Sequence, residues 1–380
     1  MLFSLEALQA RKGDCLILHF GSEDSPQFAV IDGGPSRVYG DSLKPRLGQL
    51  SKKFAKPGEL PLAFAMVSHI DDDHIRGILD WLADWQKDRG SECHIDDFWF
   101  NSFEDGLRHI PKELRAAYFG SNDPNVQVAS LGRSGDKKIS AVLASVGQGK
   151  QLRAFLEMKG IQVNRDRGLL IADGRATTGS FDGLTLTVVS PNKRRLEGLF
   201  KKWQEAVKKK QKVEAAAYVD QSVENLSSIV VVAEFGKKAK KRMLLTGDAR
   251  GDDILEGLND GGFLDSKGRV HVDLLKVPHH GSDRDVAPDF FQKITADHYV
   301  ISANGENDNP DADTLCWLGE ARGGDDYALY LTNQSNPQKP ILQKNLAVAF
   351  RKFPALKKRT RFRKSNALSI CVDLEGEVRY

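Results

Sequence analysis

The sequence predicts an α/β fold in which two layers of β-sheet are covered by helices. Short apolar runs typical of strands cluster near both ends of the chain. Stretches with helical spacing of apolar residues, such as 74–88, follow several of these runs. A single parallel sheet would need strands and helices in regular alternation, so two packed sheets fit this pattern better.

Three consecutive strands are expected at the start of the chain, because turn residues divide the apolar runs there. These strands are Phe3–Ala10, Asp14–Phe20 and Phe28–Ile31. The elements expected next are a helical stretch Val38–Phe54 broken at Pro45, a strand Leu62–Val67, a helix His74–Asp88, a strand Phe98–Phe100 and a helix Ile139–Lys159.

The second half of the chain repeats the strand pattern. The expected strands are Leu184–Val189, Ser227–Glu234, Arg242–Leu245, Val272–Val277, Tyr299–Ser302, Ala328–Leu331 and Leu368–Val372. The expected helices are Arg194–Lys212, Asp252–Leu258 and Asp311–Leu318. Residues 1–335 are expected to form one domain, with an insertion near 103–134, where the pattern is weakest. Residues 336–380 are expected to be a basic segment with a final strand, packed on the same domain.

Composition excludes several classes of protein. The 55 Lys and Arg against 52 Asp and Glu give a formal net charge of +3, which argues against a globally basic nucleic-acid coat and against an acidic disordered tail. No apolar run approaches the roughly 20 residues of a membrane span, so no membrane partner is expected. The four cysteines form no CxxC motif, which disfavours a disulfide framework and favours a reducing cytoplasm.

The positive charge is concentrated in one run, Arg351–Lys364, which contains no acidic residue. Without this run the rest of the chain carries a formal net charge of −5. Basic side chains release counterions from phosphates, so the run is a candidate contact for nucleic acid. Its basic residues are Arg351, Lys352, Lys357, Lys358, Arg359, Arg361, Arg363 and Lys364.

Histidines and aspartates follow predicted strands at three places. The first is Ser68–Gly77, where His69, Asp71, Asp73 and His74 lie in the turn between a strand and a helix. Two imidazoles and two carboxylates suit a divalent cation such as Zn²⁺ or Mn²⁺. The alternative is an acidic helix cap formed by one of the aspartates.

The other two places are Asp248, after the strand Arg242–Leu245, and the pair His279-His280, after Val272–Val277. Three strand ends can therefore present metal-type ligands to one edge of a sandwich. The alternatives are a turn aspartate at Asp248 and a buried hydrogen-bonded pair at His279-His280.

Together these motifs resemble the metallo-β-lactamase superfamily, and most closely the branch that contains the hydrolase domain of ComEC-type DNA-internalisation proteins. The resemblance covers roughly residues 3–335. The segments that carry it are IDGG at Ile31–Gly34, SHIDDDHIRG at Ser68–Gly77, LLTGDA at Leu244–Ala249, LKVPHHGS at Leu275–Ser282 and, more loosely, Val223–Val231 and Ile301–Leu315. The resemblance implies a four-layer αβ/βα sandwich of the metallo-β-lactamase type.

The same resemblance implies a site for two divalent cations, Zn²⁺ or Mn²⁺. His69 and Asp71 would bind one ion, Asp73 and His74 would bind the other, and Asp248 would bridge them. One of His279 and His280, with His280 favoured, would complete the second ion, and Asp32 would orient a ligand through a hydrogen bond.

A hydroxide held between the cations would be the nucleophile, and the histidine of the pair that binds no metal would protonate the leaving group. Asp73, Asp248 and His279 are thus the expected catalytic residues. Lys276, Ser282, Arg76 and Asn225 are candidates for substrate contacts.

The chain departs from the family pattern at three points. Asp71 stands where most members have histidine, and Arg76 stands where a small residue is usual. Many members also have a histidine midway along the chain, where only His94 and His109 are present, neither in a motif. The first ion is therefore the less fully specified of the two.

The function implied by the resemblance is a phosphodiesterase, most directly a nuclease acting on DNA or RNA. Two alternatives stay open. One is a hydrolase of small phosphodiesters or lactones on the same site, since fold does not fix substrate. The other is a non-catalytic protein that binds nucleic acid through its basic run.

Overall fold

A computed structural model describes residues 1–54, 60–87, 93–102, 137–166, 168–174, 176, 178–194, 228–236 and 240–380. It shows a mixed α/β sandwich of two sheets and flanking helices. The expected insertion near 103–134, residues 195–212 of the expected helix Arg194–Lys212, and Asn225 lie outside these ranges.

The described strands include those expected, in the expected order with boundaries shifted by a few residues, and three short ones that were not expected, Cys93–Ile95, Gly179–Phe181 and Thr360–Phe362. They are β1 Leu2–Leu8, β2 Leu16–Gly21, β3 Pro26–Ile31, β4 Leu60–Met66, β5 Cys93–Ile95, β6 Phe98–Trp99, β7 Gly179–Phe181, β8 Leu184–Ser190, β9 Val230–Phe235, β10 Lys241–Leu245, β11 Val270–Lys276, β12 Ile294–Ile301, β13 Ala328–Leu331, β14 Thr360–Phe362 and β15 Ser369–Glu375.

The described helices are short to medium in length, and none is long and apolar enough to cross a membrane. They are α1 Lys44–Phe54, α2 Asp72–Gln86, α3 Lys137–Lys159, α4 Gly251–Asp260, α5 Phe290–Lys293, α6 Ala312–Arg322, α7 Ile341–Lys352 and α8 Pro354–Arg359. A π-helical turn, Tyr39–Leu43, leads directly into α1.

The two sheets are both mixed. In the first, the order is β15-β1-β2-β3-β4-β5, with β6 also paired to β4. The pairs from β15 to β3 are antiparallel, and β4 runs parallel to β3. In the second sheet the order is β14-β13-β12-β11-β10-β9-β8-β7, and the strands from β10 to β14 are mutually parallel.

Three apolar layers hold this arrangement together. Side chains such as Leu18 and Phe20 of the first sheet meet Leu186, Met243 and Leu274 of the second in the central layer. The opposite face of the first sheet packs on α1, α2 and α3, and that of the second packs on α4 to α8. Successive side chains of a strand point to opposite faces of its sheet, so the residues of each strand alternate between the central layer and an outer layer. The protein is therefore layered in space in the order helices, first sheet, second sheet, helices.

The helical stretch expected over 38–54 is present, but the break expected at Pro45 is wrong. Pro45 occupies the second position of α1, directly after the π-helical turn, and the chain stays helical through it. The change in winding occurs just before it, where the π-helical turn passes into α1.

Residues 336–380 belong to both sheets. β14 extends the second sheet by pairing with β13, and β15 extends the first by pairing antiparallel with β1. The helices α7 and α8 of this segment pack on the outer face of the second sheet.

Candidate metal centre

Four loops meet at one edge of the sandwich, and each follows the carboxyl end of a strand. The loops after β3 and β4 carry Asp32 and His69, and the loops after β10 and β11 carry Asp248 and His280. His74 joins them from the first turn of α2. The strand-end placement expected from the sequence therefore brings these side chains into one cluster.

Asp248 lies at the centre of the cluster. Its Oδ1 lies 3.3 Å from Nε2 of His74, and its Oδ2 lies 3.4 Å from Nε2 of His280 and 3.5 Å from Nε2 of His279. Nε2 of His69 is slightly farther from Oδ2, at 3.8 Å. The side chain is 5% exposed, and its Oδ1 accepts no hydrogen bond within the described residues. A buried carboxylate surrounded by imidazoles is a typical metal-binding environment.

Asp32 fixes the orientation of His74. Its Oδ2 lies 2.8 Å from Nδ1 of His74 and accepts a hydrogen bond of 2.6 Å from the Ser68 hydroxyl. Its Oδ1 accepts the Ser68 backbone N–H at 2.6 Å. With Nδ1 bound to a carboxylate, His74 directs Nε2 towards Asp248, which is the usual way of orienting a histidine ligand.

His280 is held in the same way by different groups. Its Nδ1 donates to the Ser302 carbonyl at 2.8 Å and lies 3.4 Å from Oδ1 of Asp14. Because the carbonyl can only accept, Nδ1 carries a proton, and Nε2 is the nitrogen that faces Asp248. That Nε2 lies 3.3 Å from Nε2 of His74.

Lys276 and Asp14 form a buried ion pair behind His280. The Lys276 ammonium lies 2.6 Å from Oδ2 of Asp14, and both side chains are 1% exposed. The ammonium also donates to the Val277 carbonyl at 3.2 Å. A substrate contact by Lys276 does not fit this placement, because its charge is buried and already paired within the protein.

A second group of possible metal ligands lies next to the cluster around Asp248 and shares His74 with it. Ligand atoms of His69, Asp73 and His74 are close enough to one another to hold an ion. Asp71 lies beside them, with Oδ2 3.8 Å from Nε2 of His69, and accepts a hydrogen bond of 3.0 Å from the Ser145 hydroxyl. Asp73 therefore groups with His69 as well as with His74, whereas the resemblance had implied Asp71 as the partner of His69.

Close backbone contacts set the positions of these loops. A Cβ on Gly77 in α2 would lie 1.9 Å from the Gly33 carbonyl oxygen, so the helix contacts the loop after β3 without intervening side chains. Gly247 has a φ of +50°, and a Cβ there would lie 2.9 Å from the Ser68 Cβ. Glycine is needed at both places because any larger residue would separate the loops.

The two histidines after β11 have a strained backbone. His279 has a φ of 44° and His280 a φ of 56°, both in the left-handed region that non-glycine residues rarely adopt. The Gly247 carbonyl accepts the His279 N–H at 3.1 Å, and Asn309 donates to the His279 carbonyl at 3.2 Å. Such strain, typically about 1–3 kcal/mol per residue, is concentrated at functional sites.

The pKa values within the cluster reflect its crowded charges. Burial lowers the pKa of His74, but the carboxylates of Asp248 and Asp32 outweigh burial and raise it well above its usual range. The same competition, with Asp248 and Asp14, raises the pKa of His280 to about 9. Burial and the neighbouring His74 lower the pKa of His69 to about 4.

Asp248 shifts in the opposite sense. Burial alone would raise the pKa of its carboxyl group, but the surrounding imidazoles hold that pKa well below its usual range. A cation would therefore have to displace protons from His74 and His280, so metal affinity should increase with pH.

The geometry of the first group fits a metal ion. Ligand atoms about 2.0–2.1 Å from a tetrahedral cation lie about 3.3–3.4 Å apart. Nε2 of His74 lies 3.3 Å from Nε2 of His280 and 3.3 Å from Oδ1 of Asp248, and Nε2 of His280 lies 3.4 Å from Oδ2 of Asp248. The buried cluster of Asp14, His74, Asp248 and His280 can thus hold a metal ion.

His279 occupies a different position from its neighbour. Its side chain is 33% exposed, whereas that of His280 is 1% exposed. Its Nδ1 lies 2.6 Å from Oδ2 of Asp285, which leaves Nε2 directed towards Asp248 at the solvent-facing side of the cluster. Of the two histidines, His280 is the buried one that the first group includes, and His279 is the one accessible to a substrate.

The remaining candidates for substrate contacts are less closely tied to the cluster. Arg76 is 44% exposed and pairs with Asp80 at 3.2 Å. Ser282 is buried, and its hydroxyl accepts the Arg284 N–H at 3.3 Å. Asn225 and His109 lie outside the described residues, and His94 is an exposed residue paired with Asp96 at 2.9 Å.

The basic run Arg351–Lys364 is divided between the two edges of the second sheet at which its parallel strands begin and end. Its first part ends in α8, and Arg359 donates to the Gly324 carbonyl just before β13 begins. Arg363 and Lys364 follow β14, at the edge where Asp248 and His280 follow β10 and β11. The run is thus not one continuous track beside the metal centre.

Sequence reasoning missed two acidic residues of this site. Asp14 was expected to begin the strand Asp14–Phe20, but it lies in the turn between β1 and β2. Asp285 follows the histidine pair by several residues in a loop. Sequence spacing does not indicate either role, because each aspartate comes close to its histidine only when the chain is folded.

No protein-family model matches the chain, and no curated protein is significantly similar to it.

Proposed function

We propose that the protein is a metal-dependent hydrolase of the metallo-β-lactamase type, and that it cleaves phosphodiester bonds in nucleic acid. The observation that carries this proposal is the arrangement around Asp248, whose two carboxylate oxygens face three buried imidazoles and the partly exposed imidazole of His279. A site that reacts with a ligand needs access from solvent, and the partial exposure of His279 supports such access on that side of the cluster.

Two divalent cations, Zn²⁺ or Mn²⁺, would occupy neighbouring positions. His74, His280 and Asp248 would hold one, because their separations match a single coordination sphere. His69 and Asp73, together with Asp71, would hold the other. Their oxygen-rich ligands make Mn²⁺ a suitable ion beside Zn²⁺. When bound, such cations lower the pKa of a coordinated water and neutralise charge on a phosphoryl oxygen.

His279 would deliver the proton to the leaving group. Asp285 holds its Nδ1, so the proton available for transfer lies on Nε2, at the exposed side of the cluster. An imidazole oriented by a carboxylate is a common general acid. Asp248 would keep its charge throughout, because the surrounding imidazoles hold the pKa of its carboxyl group well below its usual range.

The choice of nucleic acid over a small phosphodiester rests on basic residues at the metal edge. Arg363 and Lys364 follow β14 at that edge. The part of the basic run that precedes β14 lies at the other edge. This placement supports the alternative, a small-molecule hydrolase, more strongly than the sequence did. Phosphate is the group common to both substrates, and the metal site is built for it.

The test is cleavage of labelled single- and double-stranded DNA and RNA, with and without Zn²⁺ or Mn²⁺, beside a chromogenic phosphodiester. Metal-dependent cleavage is expected, and both Asp248→Ala and His74→Ala should abolish it. His271→Ala is the matched control, because His271 is an exposed histidine at the opposite end of β11. Cleavage of the chromogenic ester alone would indicate the small-molecule alternative. No turnover of any substrate with any metal would contradict the proposal.

A further inference from the structure

A polar cavity of about 320 Å³ lies between the turn after β1, the π-helical turn before α1 and the loop after β14. Its volume lies at the lower end of the roughly 300–1,000 Å³ of small-ligand sites. Polar side chains contribute much of its lining, among them Arg11, Asp41, Ser42, Arg363, Ser365 and Asn366.

One wall of the cavity belongs to the same turn as the metal cluster. Arg11 precedes Asp14 by three residues, a span of at most about 11 Å. Between them, Gly13 packs so closely on the Asp73 backbone that a Cβ would lie 1.8 Å from the Asp73 oxygen. The Ser302 hydroxyl donates to the Gly13 carbonyl at 2.7 Å. The position of Arg11 is thus fixed relative to the cluster.

The opposite wall is equally well fixed. The Arg363 guanidinium donates to the carbonyls of Thr332 and Lys364 at 2.8 and 2.9 Å. Gln9 connects the two walls, because its amide donates to Asn333 at 3.1 Å, and Asn333 Oδ1 also lies 3.5 Å from Nη2 of Arg363. A cavity of this kind needs little rearrangement to bind a ligand.

The charge of the cavity favours an anion. Two arginines line it against one acidic residue, Asp41, whose carboxylate lies 3.6 Å from the Arg37 guanidinium. Within the described residues, the Arg11 guanidinium has no acidic partner. Arginine and hydroxyl groups are the side chains that most often bind phosphate.

We propose that this cavity binds a phosphate group of the substrate strand, next to the phosphodiester that is cleaved at the metal centre. The proposal rests on the proposed function and gives it a specific contact, with Arg11 as the principal residue. It assigns strand binding to the metal edge and not to Lys357, Lys358 and Arg359, which precede β14 at the opposite edge.

The test compares Arg11→Ala with Lys358→Ala, which removes the same charge from an exposed residue at the far edge. Binding of a fluorescent single-stranded DNA of about eight nucleotides, within the usual range of site sizes, is measured by anisotropy in EDTA. Arg11→Ala should weaken binding roughly tenfold and reduce the slope of log K against log salt by about 0.7, as expected for one lost phosphate contact. Lys358→Ala should change neither quantity.

Turnover provides the second readout. A chromogenic phosphodiester has only one phosphate, so Arg11→Ala should lower kcat/KM for the oligonucleotide by a much larger factor than kcat/KM for this ester. Arg11→Glu should lower the latter further. If no variant cleaves any substrate, the proposed function fails, and the anisotropy measurement still decides whether Arg11 binds the strand.

Two results would overturn the proposal. In one, Arg11→Ala and Arg11→Glu bind the oligonucleotide as tightly as the unaltered protein does. In the other, inorganic phosphate binds the cavity tightly in an Arg11-dependent manner and the oligonucleotide does not compete with it, which would assign the cavity to a free anion.

Discussion

Burial of the charged side chains of Lys276 and Asp14 carries a large free-energy cost. Both are 1% exposed and lie 2.6 Å apart, and burial of Asp14 is offset by Lys276, so the pKa of its carboxyl group lies well below its usual range. Lys276→Met should destabilise the metal-free protein by about 3–5 kcal/mol, because it leaves a buried carboxylate without its counter-charge. Denaturant unfolding in EDTA measures this loss.

A double-mutant cycle separates the ion pair from simple loss of packing. Asp14→Asn combined with Lys276→Met should recover much of the stability, since it removes the uncompensated charge. Strictly additive losses would show that the two side chains do not depend on each other.

Asp32 and Asp285 orient two different histidines, which allows metal binding and proton transfer to be tested separately. Asp32→Asn should weaken metal binding about 10–100-fold, because the hydrogen-bonded carboxylate that prepares His74 is lost. Competition with a chromophoric chelator measures the affinity. Asp285→Asn is the matched control and should leave the affinity unchanged, since Asp285 contacts only His279 of the histidines. Equal losses in both variants would argue against these separate roles.

Motif spacing predicts much of the site at this scale, because the ligands lie in loops that follow strand ends or, for His74, in the first turn of the helix after such a loop. His69, His74, Asp248 and His280 lie together for that reason. Lys276 illustrates what spacing cannot predict. A lysine beside a histidine pair suggests a phosphate contact, but only the fold reveals that Asp14, more than 250 residues earlier in the chain, holds it inside the protein.

At the scale of elements, α2 is positioned by a glycine contact. Gly77→Ala places a Cβ 1.9 Å from the Gly33 oxygen, which forces the helix and its ligand His74 away from the loop after β3. We expect a loss of stability of about 1–3 kcal/mol, as for other overpacked sites. Thermal and denaturant unfolding measure it, together with metal affinity.

Gly48→Ala is the control, because Gly48 lies within α1, where an added methyl group would meet nothing within 4 Å outside the backbone of the helix itself. Alanine is the better helix former, so this change should stabilise the protein by up to about 1 kcal/mol. If Gly77→Ala also stabilises the protein, the close contact between α2 and the loop is not as described.

Strands were easier to anticipate than the final helices. Runs such as Ile229–Ala233 are apolar on both faces because both faces are buried, and their β character is clear from composition. The helices α7 and α8 lie within a segment whose charge dominated its interpretation, and their apolar residues, including Leu346 and Leu356, became recognisable as a packing face only in the structure.

At the scale of the whole molecule, Glu6 connects distant parts of the first layer. It accepts hydrogen bonds from Arg46 of α1 at 2.8 and 3.0 Å, contacts His19 of β2 at 2.9 Å, and contacts Ser369 of β15. Burial opposes ionisation of Glu6, but His19 and Arg46 outweigh it and lower its pKa to about 2.

This lowered pKa predicts how stability depends on pH. The stabilisation by Glu6, roughly 3 kcal/mol, is present above the unfolded-state pKa near 4.5 and is lost as pH falls from there to about 2. Glu6→Gln should therefore lower the unfolding free energy at pH 7 and have a much smaller effect near pH 2. Glu234→Gln, at a partly exposed pair with Arg242, should cost at most about 1 kcal/mol. A loss in Glu6→Gln that is independent of pH would contradict this account.

Charge distribution at this scale could not be inferred from the sequence. The run Arg351–Lys364 is continuous in the chain, but β14 passes across the sheet within it and carries its two ends to opposite edges. Composition identifies a local concentration of charge, whereas only topology determines which residues lie beside the metal centre.

Binding of metal at Asp248 is the central claim, and crystals grown with Mn²⁺ test it most directly through anomalous diffraction. We predict an anomalous peak bonded to His74 Nε2, His280 Nε2 and Asp248, with a second peak beside His69 and Asp73. An ordered cluster without an anomalous peak, in which Asp248 bonds only to protonated imidazoles, would contradict the account.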